Sequence, residues 1–170
     1  LSELKDVLQC EIPVEAEITC VSTDTRSLPQ GCLFVALRGE VFDGHAYVGA
    51  ALRNKAQYAL VDKKGVEEYC KELPAQQLIV CEDTEQGVLD LAGAYRDRYH
   101  FRMVGVTGSV GKTTTKEMIA QVLSAQFETL KTQGNFNNRV GLPKTLLELD
   151  ETVQAAVIEM GMNHFGEISD

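Results

Sequence analysis

Met103-Val104-Gly105-Val106-Thr107-Gly108-Ser109-Val110-Gly111-Lys112-Thr113-Thr114 is the stretch on which the fold turns. Residues 103–106 form a short apolar run that predicts a buried strand. Residues 113–126 predict a helix, with Thr115, Ile119, Val122 and Leu123 expected on its core face. The glycine-rich turn between them has the makings of a phosphate cradle. Gly108 and Gly111 let backbone N–H groups turn inward toward an anion with no Cβ in the way. The following helix presents its free N–H groups and the positive end of its dipole to the same point. Thr107, Gly108, Ser109, Val110, Gly111, Lys112, Thr113 and Thr114 are therefore candidate nucleotide-binding residues. Lys112 is placed to reach β- and γ-phosphates, and the Thr113 hydroxyl to sit on Mg²⁺. The common spacing of Gly, four residues, then Gly-Lys-Ser/Thr is missed by one residue. Val106 stands five before Gly111, and Gly105 six before. The alternative is a glycine turn that merely joins strand to helix.

Downstream, Ala155-Ala156-Val157-Ile158 is a continuous apolar run, as expected of a parallel strand covered on both faces. Glu159 follows it, at the edge where open parallel sheets bind ligands. A carboxylate there needs a cation or several donors, and Mg²⁺ would serve. Glu159 is thus a candidate catalytic and metal residue alongside Lys112 and Thr113; an ordinary strand-end glutamate reaching solvent is the alternative. His164 is a further catalytic candidate, although a lone histidine after a strand is more often a packing or surface residue. Gly134-Asn135-Phe136-Asn137-Asn138-Arg139 is a polar loop leading to a helix entered at Pro143. Asn137 and Asn138 offer donors to an anionic substrate, or are simply turn formers.

Upstream, the alternation of short apolar runs with amphipathic stretches reads as an α/β layered fold. Strands are expected at residues 18–21, 32–37, 58–61 and 77–80, and helices near 45–55, 66–73 and 84–99. In the last of these Val88, Leu91, Ala92, Tyr95 and Tyr99 share one face. The expected organisation is one domain over residues 1–100 and the beginning of a second over 101–170. A parallel sheet starting at residue 103 needs more crossovers than remain before Asp170, so a longer parent protein is expected.

The 170 residues carry 25 acidic against 16 basic side chains, a net charge of −9. That disfavours nucleic acid or an anionic membrane surface as partner, but leaves room for one nucleotide at a local positive site. With no basic-then-apolar leader and no apolar run long enough to span a bilayer, a cytoplasmic protein without membrane insertion is expected. Five scattered cysteines with no Cys-x-x-Cys pair predict reduced, structural thiols.

The loop with its continuation Thr115-Lys116-Glu117-Met118 closely resembles the ATP loop of the Mur ligase family. That family writes the motif as Thr-Gly-x-x-Gly-Lys-Thr/Ser, which accounts for the shifted glycine. Gly134-Asn135-Phe136-Asn137-Asn138 and Glu159-Met160-Gly161-Met162-Asn163-His164 resemble more specifically the member that adds D-alanyl-D-alanine. Ser22-Thr23-Asp24-Thr25-Arg26 and the run from Phe34 to His45 resemble its UDP-binding module. Val110 stands where Asn is common, and Thr25 where Ser is usual. The resemblance implies a small N-terminal α/β UDP-binding domain followed by the start of a parallel-sheet P-loop ATPase domain. It implies ATP and Mg²⁺ as cofactors, and a monomer acting in peptidoglycan precursor synthesis. It further implies amide-bond formation through an acyl phosphate, between UDP-N-acetylmuramoyl tripeptide and D-alanyl-D-alanine. The UDP end would lie near Thr23, Asp24, Thr25 and Arg26 and near Gly39, Glu40, Val41 and Phe42. A plain helix-capping turn at Asp43-Gly44-His45 stays open beside that assignment. The rivals are a folylpolyglutamate synthetase-like ligase, a non-catalytic nucleotide-binding module, and a P-loop kinase.

Overall fold

The computed structural model describes residues 18–39 and 41–162, which places Cys10, Glu40 and His164 outside the described residues. The chain divides into two compact units, residues 1–91 and 92–170.

In the first unit β1 (Cys20–Ser22), β2 (Cys32–Val35), β3 (Ala56–Asp62) and β4 (Leu78–Cys81) form a four-stranded sheet in that order. Every neighbouring pair is parallel. Leu33, Phe34, Val35, Leu60 and Val61 are fully or almost fully buried. Each such side chain contributes about 1.5–3 kcal/mol over an exposed one, which explains why continuous apolar runs become the central strands. The crossovers carry α1 (Val48–Asn54), preceded by a 3₁₀ turn over Gly44–Tyr47, and α2 (Lys63–Tyr69). Asp43 caps the 3₁₀ turn by accepting the His45 N–H, and Asp62 caps α2 by accepting the Gly65 N–H at 2.6 Å. α3 (Thr84–Arg96) starts where the Thr84 hydroxyl donates to the Ala36 carbonyl at 2.8 Å. The division between the units falls within this helix.

In the second unit β5 (Arg102–Val106), β6 (Thr129–Lys131) and β7 (Ala155–Glu159) form a parallel sheet in the order β5-β7-β6. α4 (Lys112–Leu123) and α5 (Gly141–Leu146) complete the described elements. β7 is central and buried at every position, as its uninterrupted apolar run predicts. β5 forms where expected but is not a buried strand: it lies at the sheet edge, Met103 is half exposed, and only Val106 is buried. The helix face also differs from the expectation. Ile119 and Leu123 pack on Val106, Ala120 and Val157, whereas Thr115 is exposed and Val122 is 72% exposed. The line that meets the sheet runs through Lys116, Ile119, Ala120 and Leu123. Which stripe of a helix is covered depends on where the sheet lies, and apolar spacing alone left two stripes possible. α5 starts at Gly141, two residues ahead of the expected Pro143.

Candidate functional site

The register of the second sheet builds the site. Val106, the last residue of β5, is paired with Glu159, the last residue of β7. The glycine-rich loop therefore departs beside the strand-end carboxylate, at the carboxyl edge of the sheet. Within the loop Gly108 and Gly111 have φ of 141° and 78°. No neighbouring atom lies within 4 Å of a Cβ built on either, so backbone conformation, not crowding, demands glycine there. Gly111 caps α4, whose first residue is Lys112. The Lys112 ammonium donates to the Gly108 carbonyl at 2.8 Å, folding its cation back across its own loop. Thr107, Ser109, Val110 and Thr114 are exposed. Residues 109–114 with Asn135, Asn137 and Glu159 line an open cleft of about 400 Å³.

Glu159 is 1% exposed. Its Oε1 accepts from the Asn137 amide at 2.8 Å and from the Thr113 hydroxyl at 3.4 Å. Its main chain is pinned from both sides. The Glu159 N–H donates to the buried Thr132 hydroxyl at 2.9 Å, and the Met160 N–H donates to the Val106 carbonyl. Oε2 is buried and has no hydrogen-bond partner among the described residues; the Lys116 ammonium stands 3.4 Å away. Burial pushes the Glu159 carboxyl up, but Asn137, Thr113 and Lys116 outweigh it and hold the group below its ordinary value.

The structure thus brings Lys112, Thr113, Asn137 and Glu159 to one cleft. Asn138 is engaged differently: its side-chain oxygen accepts the N–H groups of Val140 and Gly141, at 3.2 and 2.8 Å, and so organises the start of α5. Neither Lys116 nor Thr132 was singled out from sequence. The available signal was the spacing of Lys116, one helical turn after Lys112 and on the same side of the helix.

In the first unit, Thr23–Arg26 surrounds a tight turn. The Asp24 carboxylate accepts the Arg26 N–H at 2.9 Å and pairs with its guanidinium at 2.6 Å, while the Asp24 N–H donates to the Ser22 hydroxyl. The Gly39 N–H donates to the Phe42 carbonyl at 2.8 Å, closing a second turn. It leaves Val41 82% and Phe42 70% exposed. Behind that turn lies a network that sequence did not suggest. Arg38 reaches Asp62 through Nε and Nη2, both at 3.0 Å, and also pairs with Asp43. The buried His45 accepts the Asp62 N–H on Nε2 at 3.1 Å. Its proton therefore sits on Nδ1, which donates to Asp43 at 2.6 Å.

Two family models match the chain: the catalytic domain of the Mur ligase family over residues 17–96, and the Mur ligase middle domain over residues 106–170. The chain belongs to the Mur ligase family. A UDP-N-acetylmuramoyl-tripeptide--D-alanyl-D-alanine ligase of Synechocystis is 46% identical over 155 residues, covering 91% of this chain and 33% of that protein. A crystal structure of MurF from Acinetobacter baumannii superposes with a TM-score of 0.85 at 37% identity, covering 98% of this chain and 36% of that one. The MurF ligase of Thermotoga maritima, solved in complex with ADP, superposes with a TM-score of 0.75 at 31% identity, covering 89% and 34%. The chain spans about a third of the length of these Mur ligases. The α/β fold with parallel sheets matches the one they adopt. Among the described residues, no helix is long and apolar enough to cross a membrane, and Cys20, Cys32, Cys70 and Cys81 are free thiols.

Proposed function

We propose that this chain supplies the UDP-binding domain and the ATP loop of a cytoplasmic ligase that joins D-alanyl-D-alanine to UDP-N-acetylmuramoyl tripeptide. Residues 1–100 would hold the UDP end of the acceptor, and residues 101–170 would begin the ATP-binding domain. The observation that carries this reading is the buried Glu159 carboxylate. It lines the cleft at the Lys112–Thr113 end of a glycine cradle, with Oε1 beside the Thr113 hydroxyl. A nucleotide phosphate with Mg²⁺ completes such a site. The Thermotoga relative, which was crystallised with ADP, supports the nucleotide.

The donors present fit Mg²⁺. Thr113 and Glu159 offer hard oxygens, and among the described residues no cluster of three or more His, Cys, Asp or Glu could cage an ion alone. Mg²⁺ suits that arrangement, because it is commonly held by one or two carboxylates plus substrate phosphates. When bound, it would neutralise charge on the phosphate oxygens.

A carboxylate does not condense with an amine in water because an oxide is a poor leaving group. Transfer of the γ-phosphoryl group to the tripeptide carboxylate gives an acyl phosphate. The dipeptide amine attacks its carbonyl carbon, and inorganic phosphate leaves. For the first step this chain's contribution is positioning and charge. The loop N–H groups would grip the phosphates, and Lys112 would exchange the Gly108 carbonyl for the β- and γ-phosphate oxygens. Asn137 and Thr113 hold Oε1 of Glu159 at the cleft, and Glu159 and Thr113 together would hold the ion. Asn138, Thr23–Arg26 and Gly39–Phe42 remain proposed acceptor contacts, and His164 a proposed contact near the reacting carboxylate. The enzyme would work as a monomer.

Phosphate release by the full-length protein, given Mg²⁺-ATP, UDP-N-acetylmuramoyl tripeptide and D-alanyl-D-alanine, tests the reading. Release that needs both peptide substrates is expected. Release with a folate in place of the UDP substrate, or no nucleotide binding at all, would overturn it.

A further inference from the structure

Lys116 has no side-chain exposure, an unusual place for an ammonium. Burying an ammonium in the slot between α4 and β7 is costly, and an apolar side chain of similar volume often packs such a position at less cost. What the cation touches gives it a purpose. Its Nζ lies 3.4 Å from Oε2 of Glu159, 3.4 Å from the Gly134 carbonyl and 3.5 Å from Oε1 of Glu117. It is locked onto none of them and sits centred among three oxygens. Two of those contacts reach the cleft. Glu159 is the strand-end carboxylate, and Gly134, at φ 50°, opens the loop that carries Asn137 to the other oxygen of the same carboxylate. One buried cation therefore ties together the helix after the phosphate loop, the end of β7 and the asparagine loop.

We propose that Lys116 is a positioning residue for Glu159, a resident cation that keeps the carboxylate and the Asn137 loop aimed at the cleft before nucleotide and metal arrive. This rests on the nucleotide-site reading above. Lys112 and Lys116 then divide the work. Lys112, at the cleft, exchanges its carbonyl for phosphate, while Lys116 never meets the nucleotide and acts only through Glu159.

The test uses the full-length protein and its Lys116→Met and Lys116→Arg variants, reading the affinity for Mn²⁺ in the presence of ADP by the electron paramagnetic resonance of the free ion. Metal-free ADP affinity is read alongside. Lys116→Met is expected to weaken Mn²⁺ binding about 10–100-fold, the range for partners that orient a metal ligand. Metal-free ADP binding should be unchanged, and Lys116→Arg should recover most of the loss. Mn²⁺ affinity in Lys116→Met within about twofold of wild type, well short of that range, overturns the proposal and leaves the nucleotide site standing. A wild-type protein that binds no Mn²⁺-ADP overturns both. If Lys116→Met does not fold, the Lys116→Met/Glu159→Gln double variant decides. A folded double variant supports the coupling, because it removes both charges together. An unfolded one assigns Lys116 to the core and overturns the role.

Discussion

Lys112 and Glu159 have different reasons to be where they are, and each can be removed separately. Lys112 contributes charge at the cleft and, among the described residues, one side-chain hydrogen bond, to a loop carbonyl. Lys112→Ala should leave the circular dichroism and melting of the full-length protein near wild type and lower phosphate release by at least about 100-fold, the scale of losing one preorganised stabiliser. Unchanged turnover would remove the cradle from the mechanism. Glu159→Gln keeps an acceptor for Asn137 but takes from the buried Lys116 ammonium its one buried carboxylate, leaving it only the half-exposed Glu117 and the Gly134 carbonyl. Removing one member of a buried pair costs about 3–5 kcal/mol, so thermal unfolding of this variant should move well below that of Lys112→Ala. At this scale the conformation of the glycine-rich loop was legible, because Gly108 and Gly111 act through local backbone geometry. Lys116 was not, because nothing local tells a lysine that it will be covered.

At the scale of elements, two glycines make a controlled comparison. A Cβ on Gly65, in α2, would lie 1.9 Å from Cδ2 of His45, and that ring is held at both nitrogens by Asp43 and the Asp62 N–H. The ring has nowhere to go, so Gly65→Ala should lower stability by about 1–3 kcal/mol or more, as overpacking does. A Cβ on Gly105, in edge strand β5, would meet Cε of Met160 at 2.5 Å. That contact is the far end of a flexible thioether, which can swing away. Gly105→Ala should therefore melt close to wild type, and equal losses in the two variants would sink this account. Element placement was mostly legible from apolar runs and helical spacing. β6 was missed because three half-buried residues, Thr129, Leu130 and Lys131, give no periodic signal.

For the molecule as a whole, acid is the informative perturbation. Hydrogen bonds from Arg38 outweigh burial and hold Asp62 below its ordinary value. Burial raises Asp43, but the backbone N–H and ring of His45, with Arg38, take it lower. A carboxylate depressed in the fold binds its proton less readily there than in the unfolded chain. Its stabilisation is therefore complete above about pH 4, the unfolded value, and is lost as pH falls through the folded values. Melting temperature should be flat above that point and drop below it. Asp62→Asn should lower the plateau and soften the drop; a wild-type-like acid profile in Asp62→Asn would show that the Arg38 network does not govern acid stability.

Taken alone, the sequence determined the α/β character, the strand–loop–helix cradle and the strand-end position of Glu159. Each is encoded by neighbours a few residues apart, through side-chain period, glycine dihedrals and helix-terminus N–H groups. Only the tertiary structure decided that β7 lies between β5 and β6, which sets Val106 against Glu159 and brings Asn137 and Lys116 to its two oxygens. Strand order and the covered stripe of a helix are settled by which surfaces bury the most apolar area together. That sum runs over residues up to about fifty positions apart along the chain, and no local pattern contains it.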